Sequence, residues 1–194
     1  MRGCVGAVDG LLLRTNAPRS REVGNVQSYY SGHYKSHGAN CQALADHRCR
    51  FIYMSIKCPG GTNDARAYKN TTLPTLVEDL PIGKFIVGDA AYTVGEHLLT
   101  PFAGASRSEK KKDTYNYYLS QCRIRIEMAF GRCINMWRFF KTKSSVLVLN
   151  LVKCFYVLQF CIITALRNTL KNTDLIHMMM EHLLYLRSII NNQE

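Results

Sequence analysis

The sequence predicts an α/β fold: a β-rich first hundred residues with short helices, followed by a helical remainder. Three observations carry this reading. Short apolar runs bounded by turn residues recur before residue 100, two of them ending in an aspartate. A long stretch from about Asp113 to Phe140 lacks proline and repeats apolar residues at helical spacing. The composition, 194 residues with 47% hydrophobic and 20% charged, supplies apolar surface for one globular core and excludes a collagen-like, low-complexity or disordered chain.

Taken in order, Cys4 to Val8 reads as a short buried strand that delivers Asp9 at its end. The polar stretch from Asn16 to Gly38 reads as loop. Ala39 to Ala45 and Phe51 to Lys57 read as strands joined by a hairpin over residues 46–50. Cys58-Pro59-Gly60-Gly61 predicts a turn, after which Thr62 or Asn63 caps a helix starting at Asp64. Lys84 to Gly88 predicts a second strand ending in an acid, Asp89, and His97 to Phe102 one more short strand. In the long helix the apolar set is Tyr118, Cys122, Ile126, Phe130, Cys133 and Trp137. Further helices are expected over Val146 to Leu170 and Leu175 to Ile190. There is no internal repeat, so the chain is expected to form one domain over 1–194, with a core over about 1–140 and a helical part over about 141–194.

With 25 Lys+Arg against 14 Asp+Glu, the formal net charge is +11. Between Pro101 and Lys153 eleven basic residues face only Glu109, Asp113 and Glu127, a local +8. Such an excess suits a polyanion, because lysine and arginine release counterions from a phosphate backbone. Charge alone does not separate nucleic acid from an acidic membrane, and a solvated helix face is the alternative. Eight cysteines without a CxxC pair read as small buried hydrophobes of a reducing compartment. No signal peptide is expected, because Asp9 interrupts the first apolar run. Val146 to Leu166 is the most membrane-like stretch, but Asn150, Lys153 and Gln159 mark it as a buried helix, so no membrane is expected as partner.

Three carboxylates stand out: Asp9 and Asp89 after apolar strands, and Glu127 within the basic helix. An acid at the end of a buried strand is costly unless paired, hydrogen-bonded or bound to a cation. Several together suggest a shared site for a hard divalent cation, which uses few carboxylates and completes its shell from water and phosphate. For each acid alone, a turn or capping role is the alternative, and spacing does not decide between them.

Several segments together resemble the nuclease domain of PIF/Harbinger transposases, members of the DDE superfamily. Val5-Gly6-Ala7-Val8-Asp9-Gly10 resembles that family's first carboxylate motif, and Tyr29 to Tyr34 with Gly38 to Ala43 its following segment. Pro59-Gly60-Gly61-Thr62-Asn63-Asp64, Val87-Gly88-Asp89-Ala90-Ala91-Tyr92 and Leu99-Thr100-Pro101-Phe102 are similar to three further motifs. Arg123 to Gly131 resembles the helix that carries the family's glutamate. The resemblance implies an RNase H-like, mixed five-stranded sheet flanked by helices, with additional C-terminal helices. It implies Asp9, Asp89 and Glu127 as the catalytic triad, with the second acid at the end of a fourth strand parallel to the first. Two Mg²⁺ or Mn²⁺ ions are implied at Asp9, Asp64, Asp89 and Glu127, where Asp64 has a helix-cap or first-turn role as its alternative. Arg123, one turn before Glu127, is expected to orient that glutamate or a phosphate, or to form a surface salt bridge. DNA is the implied partner, held by Arg123, Arg125, Arg132, Arg138, Lys141 and Lys143. A Myb-like DNA-binding protein, a homodimer and a nuclear or also cytoplasmic location complete the expectation.

Two departures stand beside the matches. Ile134 occupies a position where related enzymes often have lysine, leaving Arg132 or Arg138 to replace that contact, and Leu11-Leu12 follow Asp9-Gly10 where many relatives have Thr-His. The family's helical DNA-binding region is expected to be absent, since eight residues precede Asp9. The expected function is therefore a two-metal DNA endonuclease of Harbinger type, and the competing one a catalytically inactive copy acting as a DNA- or protein-binding module. A zinc site among His33, His37, Cys41, His47 and Cys49 lacks finger or ribbon spacing. Tyr29, Tyr30 and Tyr34 beside Lys35 suit base stacking or, more ordinarily, packing on the sheet. Met178-Met179-Met180 suits a core or dimer surface better than a ligand site.

Overall fold

A computed structural model describes residues 1–104 and 109–136. Strands β1 (Cys4–Arg14), β2 (Tyr30–Ser31), β3 (Ser36–Ala45), β4 (Phe51–Pro59), β5 (Phe85–Val87) and β6 (Leu98–Leu99) form a mixed sheet. Its main order is β4-β3-β1-β5-β6, antiparallel through β1 and parallel from β1 onward. That pattern is compatible with the RNase H-like fold. The sheet has six strands rather than five, because Tyr30–Ser31 folds back to pair with His37 and Ser36.

Strand β1 extends through Arg14 rather than stopping at Asp9. Its partner β3 is long enough to pair from Ala45 opposite Ala7 to Gly38 opposite Arg14. Leu12 and Leu13 are both buried, so each sheet face is covered there and the strand reads as a continuous apolar run. Cross-strand partners share a face. Val8 and Leu44 join Tyr53, Tyr68, Leu73, Val77, Ile86, Tyr92 and Leu98 in a core under helices α1 (Asp64–Lys69) and α2 (Leu73–Glu78). The other face is covered by helix α3 (Lys110–Met136), whose Phe130 packs on Phe51 with ring centres 5.5 Å apart.

Strand β4 includes Cys58 and Pro59, read from sequence as turn, since they pair with Asn40 and Ala39. The turn falls on Gly60 and Gly61, whose amides donate to Gly38 O and Ser28 O at 2.9 Å. A β-carbon on either glycine would stand 2.7 Å from those same oxygens, so only glycine allows this approach. Asn63 then caps α1, its Oδ1 accepting from Arg66 N at 2.9 Å, as the sequence predicts. Helix α2 is a short helix to which the sequence reading gives no bounds; buried Leu73 and Val77 hold it on the core despite its short length. Within the stretch read as loop, a 3₁₀ turn (Val26–Tyr29) and β2 are formed.

The strand expected over His97 to Phe102 is only Leu98–Leu99. Thr100, Pro101 and Phe102 instead latch onto α3: Phe102 N donates to Asn116 Oδ1 (2.9 Å), Asn116 Nδ2 to Phe102 O (3.1 Å) and Tyr115 OH to Thr100 O (3.2 Å). The buried stripe of α3 is Leu119, Ile126, Ala129, Phe130 and Cys133, and Tyr118 is 54% exposed, contrary to the sequence reading. Leu119, one residue on, is the smaller apolar side chain that fits against the sheet. Trp137 and the helices expected over 146–190 lie outside the described residues. Among the described residues, no helix is long and apolar enough to cross a membrane.

The hairpin between β3 and β4 is tied by buried Asp46. Its Oδ1 accepts from Arg48 N and Arg50 N at 2.9 Å, and its Oδ2 meets the Arg50 guanidinium at 2.6 and 2.7 Å. Asp46→Ala would leave those donors unpaired beside a buried strand end. It is expected to cost about 2–3 kcal/mol, read as a lower urea midpoint with an unchanged slope.

Candidate active site

The parallel pairing of β1 with β5 sets Ala7 opposite Val87. Two residues beyond each lie Asp9, within β1, and Asp89, just past the end of β5. Asp89 follows β5, as the sequence predicts, whereas Asp9 stands inside β1 with the strand continuing beyond it. Asp89 Oδ1 accepts from Ala91 N at 2.9 Å, which shapes the turn after β5. Asp9 Oδ1 accepts from Gly10 N at 2.8 Å.

Burial pushes the Asp9 carboxyl up to about 6, above the ordinary carboxylate value. The Gly10 amide pulls it down, Asp89 pushes it up, Arg123 pulls it down and Asp64 pushes it up, in that order of size. An acid so placed holds unfavourable negative charge at neutral pH.

Asp64 reaches the site from the opposite face of the sheet. It sits against Gly10, where the missing side chain leaves room, and a β-carbon on Gly10 would collide with its carboxylate. Oδ1 of Asp64 accepts from Asn40 Nδ2 and Gln42 Nε2, each at 3.0 Å. Gln42, 1% exposed, also donates to Asn40 Oδ1 (2.9 Å) and accepts from Tyr92 OH (2.8 Å). This chain of amides ties β3, α1 and the turn after Asp89 into one support beneath the acids. Burial, and then the charges of Asp64, Asp9 and Asp89, push the Tyr92 hydroxyl far above its ordinary value, so it stays a neutral donor to Gln42.

Glu127 and Arg123 lie one turn apart on α3, with Arg123 Nη2 3.8 Å from Glu127 Oε1. The glutamate side chain is 58% exposed and the arginine 22%. Arg123 therefore bridges the two acids, paired loosely with Glu127 and acting electrostatically on Asp9. Its Nε is buried without a hydrogen-bond partner among the described residues. Arg125 and Arg132 are exposed on α3; Arg138, Lys141 and Lys143 lie outside the described residues. Ile134 is half-buried.

Among the described residues, no three His, Cys, Asp or Glu side chains converge closely enough to hold a metal ion. Asp9 and Asp89 stand as a pair, Asp64 is engaged from the other face, and Glu127 faces solvent beside Arg123. Hard carboxylate oxygens, one raised by burial, fit a divalent cation as a donor set. Of the zinc candidates, Cys41 is wholly buried, and burial raises its thiol strongly.

Asn40, Gln42 and Tyr92 escaped the sequence reading as site residues. The available signal was two amides at alternate positions in an otherwise apolar strand, where a buried polar group demands a partner.

A family described as DDE superfamily endonuclease matches residues 8–164, which takes in all four acids. A protein described as ALP1-like, from Arabidopsis thaliana, is 28% identical over 149 residues, covering 70% of this chain and 36% of the relative. The chain thus spans little more than a third of that relative's length. No solved structure matches the chain significantly. With the family match running from β1 through α3 and beyond, over residues 8–164, the chain belongs to the DDE superfamily endonuclease family.

Proposed function

We propose that this chain is a metal-dependent DNA endonuclease of the Harbinger transposase type, hydrolysing phosphodiesters with two Mg²⁺ or Mn²⁺ ions. The observation that carries the reading is the placement of Asp9 in β1 and Asp89 just past the parallel β5, each two residues beyond the Ala7–Val87 pair, within a family match that spans both. When bound, divalent ions would activate water and stabilise the leaving 3′ oxygen. Asp9 and Asp89 supply their hard oxygen ligands, Asp64 adds negative charge from the far face, and Glu127 completes the set from α3. Arg123 orients Glu127 through their loose ion pair on α3. Arg125 and Arg132, joined in the proposal by Arg138, Lys141 and Lys143, hold the DNA backbone by charge. Target selection by a Myb-like partner, a homodimeric assembly and a nuclear location belong to the same proposal.

A second reading, a non-catalytic DNA- or protein-binding module, is favoured by two observations: Glu127 is exposed, and no three acids converge among the described residues. Supercoiled DNA incubated with the chain and Mn²⁺ separates the two. Nicking that requires the metal and disappears in Asp89→Asn is the expected result. Salt-sensitive binding without nicking would overturn the endonuclease reading in favour of the module.

A further inference from the structure

We propose that Tyr34 and His33, at the tip of the hairpin between β2 and β3, form a stacking platform for an unpaired DNA base beside the acidic site. The inference rests on the endonuclease reading and adds a substrate preference to it: strands with unpaired ends over blunt duplex.

The exposure of these side chains is the first observation. Tyrosines that pack on the sheet are buried, as Tyr53, Tyr68 and Tyr92 are at 5%, 9% and 4%, whereas Tyr34 is 40% exposed and Tyr30 37%. Large aromatic surface left in water at a fixed position is surface available to a π-faced ligand. The tip is also held in place. Tyr30 pairs with His37 and Ser31 with Ser36, both serines are buried, and Tyr34 N donates to Ser31 Oγ at 3.4 Å. Lys35 closes the turn in the left-handed region, at φ 47°.

His33 meets Tyr34 edge to face, with ring centres 4.8 Å apart and planes at 89°. The Arg14 guanidinium lies 6.0 Å from the Tyr34 ring centre, at the outer limit of a cation–π contact. Arg14 and Lys35 are exposed, giving the platform two cations for a backbone phosphate. After burial, the charges of Asp9 and Asp64 are what raise the Tyr34 hydroxyl, with Arg14 opposing them. The tip is tied to the site through β1, the strand that carries Asp9 and ends in Arg14, whose guanidinium reaches the Tyr34 ring.

The test is a fluorescence-anisotropy titration of the full chain, with Ca²⁺ replacing the catalytic metal. It compares a blunt duplex with the same duplex bearing a short 3′ tail that contains 2-aminopurine. The wild-type chain is expected to bind the tailed duplex about tenfold more tightly and to quench the 2-aminopurine. Tyr34→Ala should abolish both the preference and the quench, while Tyr34→Phe keeps them, and both variants should melt as the wild type does. Equal affinity for the two duplexes, or a preference and quench retained in Tyr34→Ala, would overturn the platform. Mn²⁺-dependent nicking of supercoiled DNA in those same samples would show the endonuclease reading standing without it. Failure to bind either duplex, with no nicking, would sink both.

Discussion

Asp9→Asn is expected to make the metal-free chain more stable and, in the same molecule, to abolish metal-dependent nicking. The folded-state carboxyl is raised to about 6, first by burial. Between about pH 4 and 6 the native chain holds a proton that the unfolded chain has released, so the stability contributed by Asp9 falls as pH rises through that window. Above about pH 6 the full cost is present. Asparagine removes it while keeping an Oδ1 acceptor for Gly10 N, and the lost attraction to Arg123 offsets part of the gain. A net stabilisation of about 1–3 kcal/mol near neutral pH follows, shrinking toward zero below about pH 4. Calorimetry across that range checks the sign; a variant less stable than the wild type near neutrality would refute it. Saturating Mg²⁺ or Mn²⁺ should raise the wild-type melting temperature by neutralising the same charge, and raise that of Asp9→Asn much less. Nicking should fall on the order of 10³-fold or more in the variant.

Gln42→Leu should produce the largest loss of stability, about 3–5 kcal/mol. The substitution keeps the volume but removes both amide functions at a position 1% exposed. Tyr92 OH loses its acceptor, and Asn40 Oδ1 and Asp64 Oδ1 each lose a donor. Each buried polar atom left unpaired costs about 1–3 kcal/mol, and Asp64 retains only the Asn40 amide. Against a typical total of about 5–15 kcal/mol, the variant should unfold at a markedly lower urea midpoint. Nicking should fall further than the folded fraction, because the amide chain also fixes the turn that follows Asp89. Activity tracking the folded fraction alone would restrict Gln42 to a purely structural role.

Much of the fold was legible in the sequence because it is local. The apolar run before Asp89 could only be a short buried strand, and Asn63-Asp64 after two glycines is a capping sequence. The length of β1 was not legible, since Leu11 to Leu13 pair only because β3 runs alongside them on one edge. The phase of α3 was misread for a similar reason: Tyr118 and Leu119 satisfy helical spacing almost equally, and the volume available over the sheet decides between them. Helix α2 is too short to announce itself and depends on the core beneath Leu73 and Val77.

The site divides along the same line. By itself the sequence singled out the candidates for the chemistry: Asp9, Asp89 and Glu127 as acids in recognisable motifs, and a basic stretch around the third. Residue type and local pattern suffice for that. Only the tertiary structure decided how they meet, because strand register sets distances between residues eighty positions apart. Register sets Asp9 and Asp89 each two residues beyond the Ala7–Val87 pair, and the absence of a side chain at Gly10 admits Asp64 from the opposite face. The turn of α3 leaves Glu127 in solvent beside Arg123, and the amides of Asn40 and Gln42 turn a polar interruption in a strand into the support of the site.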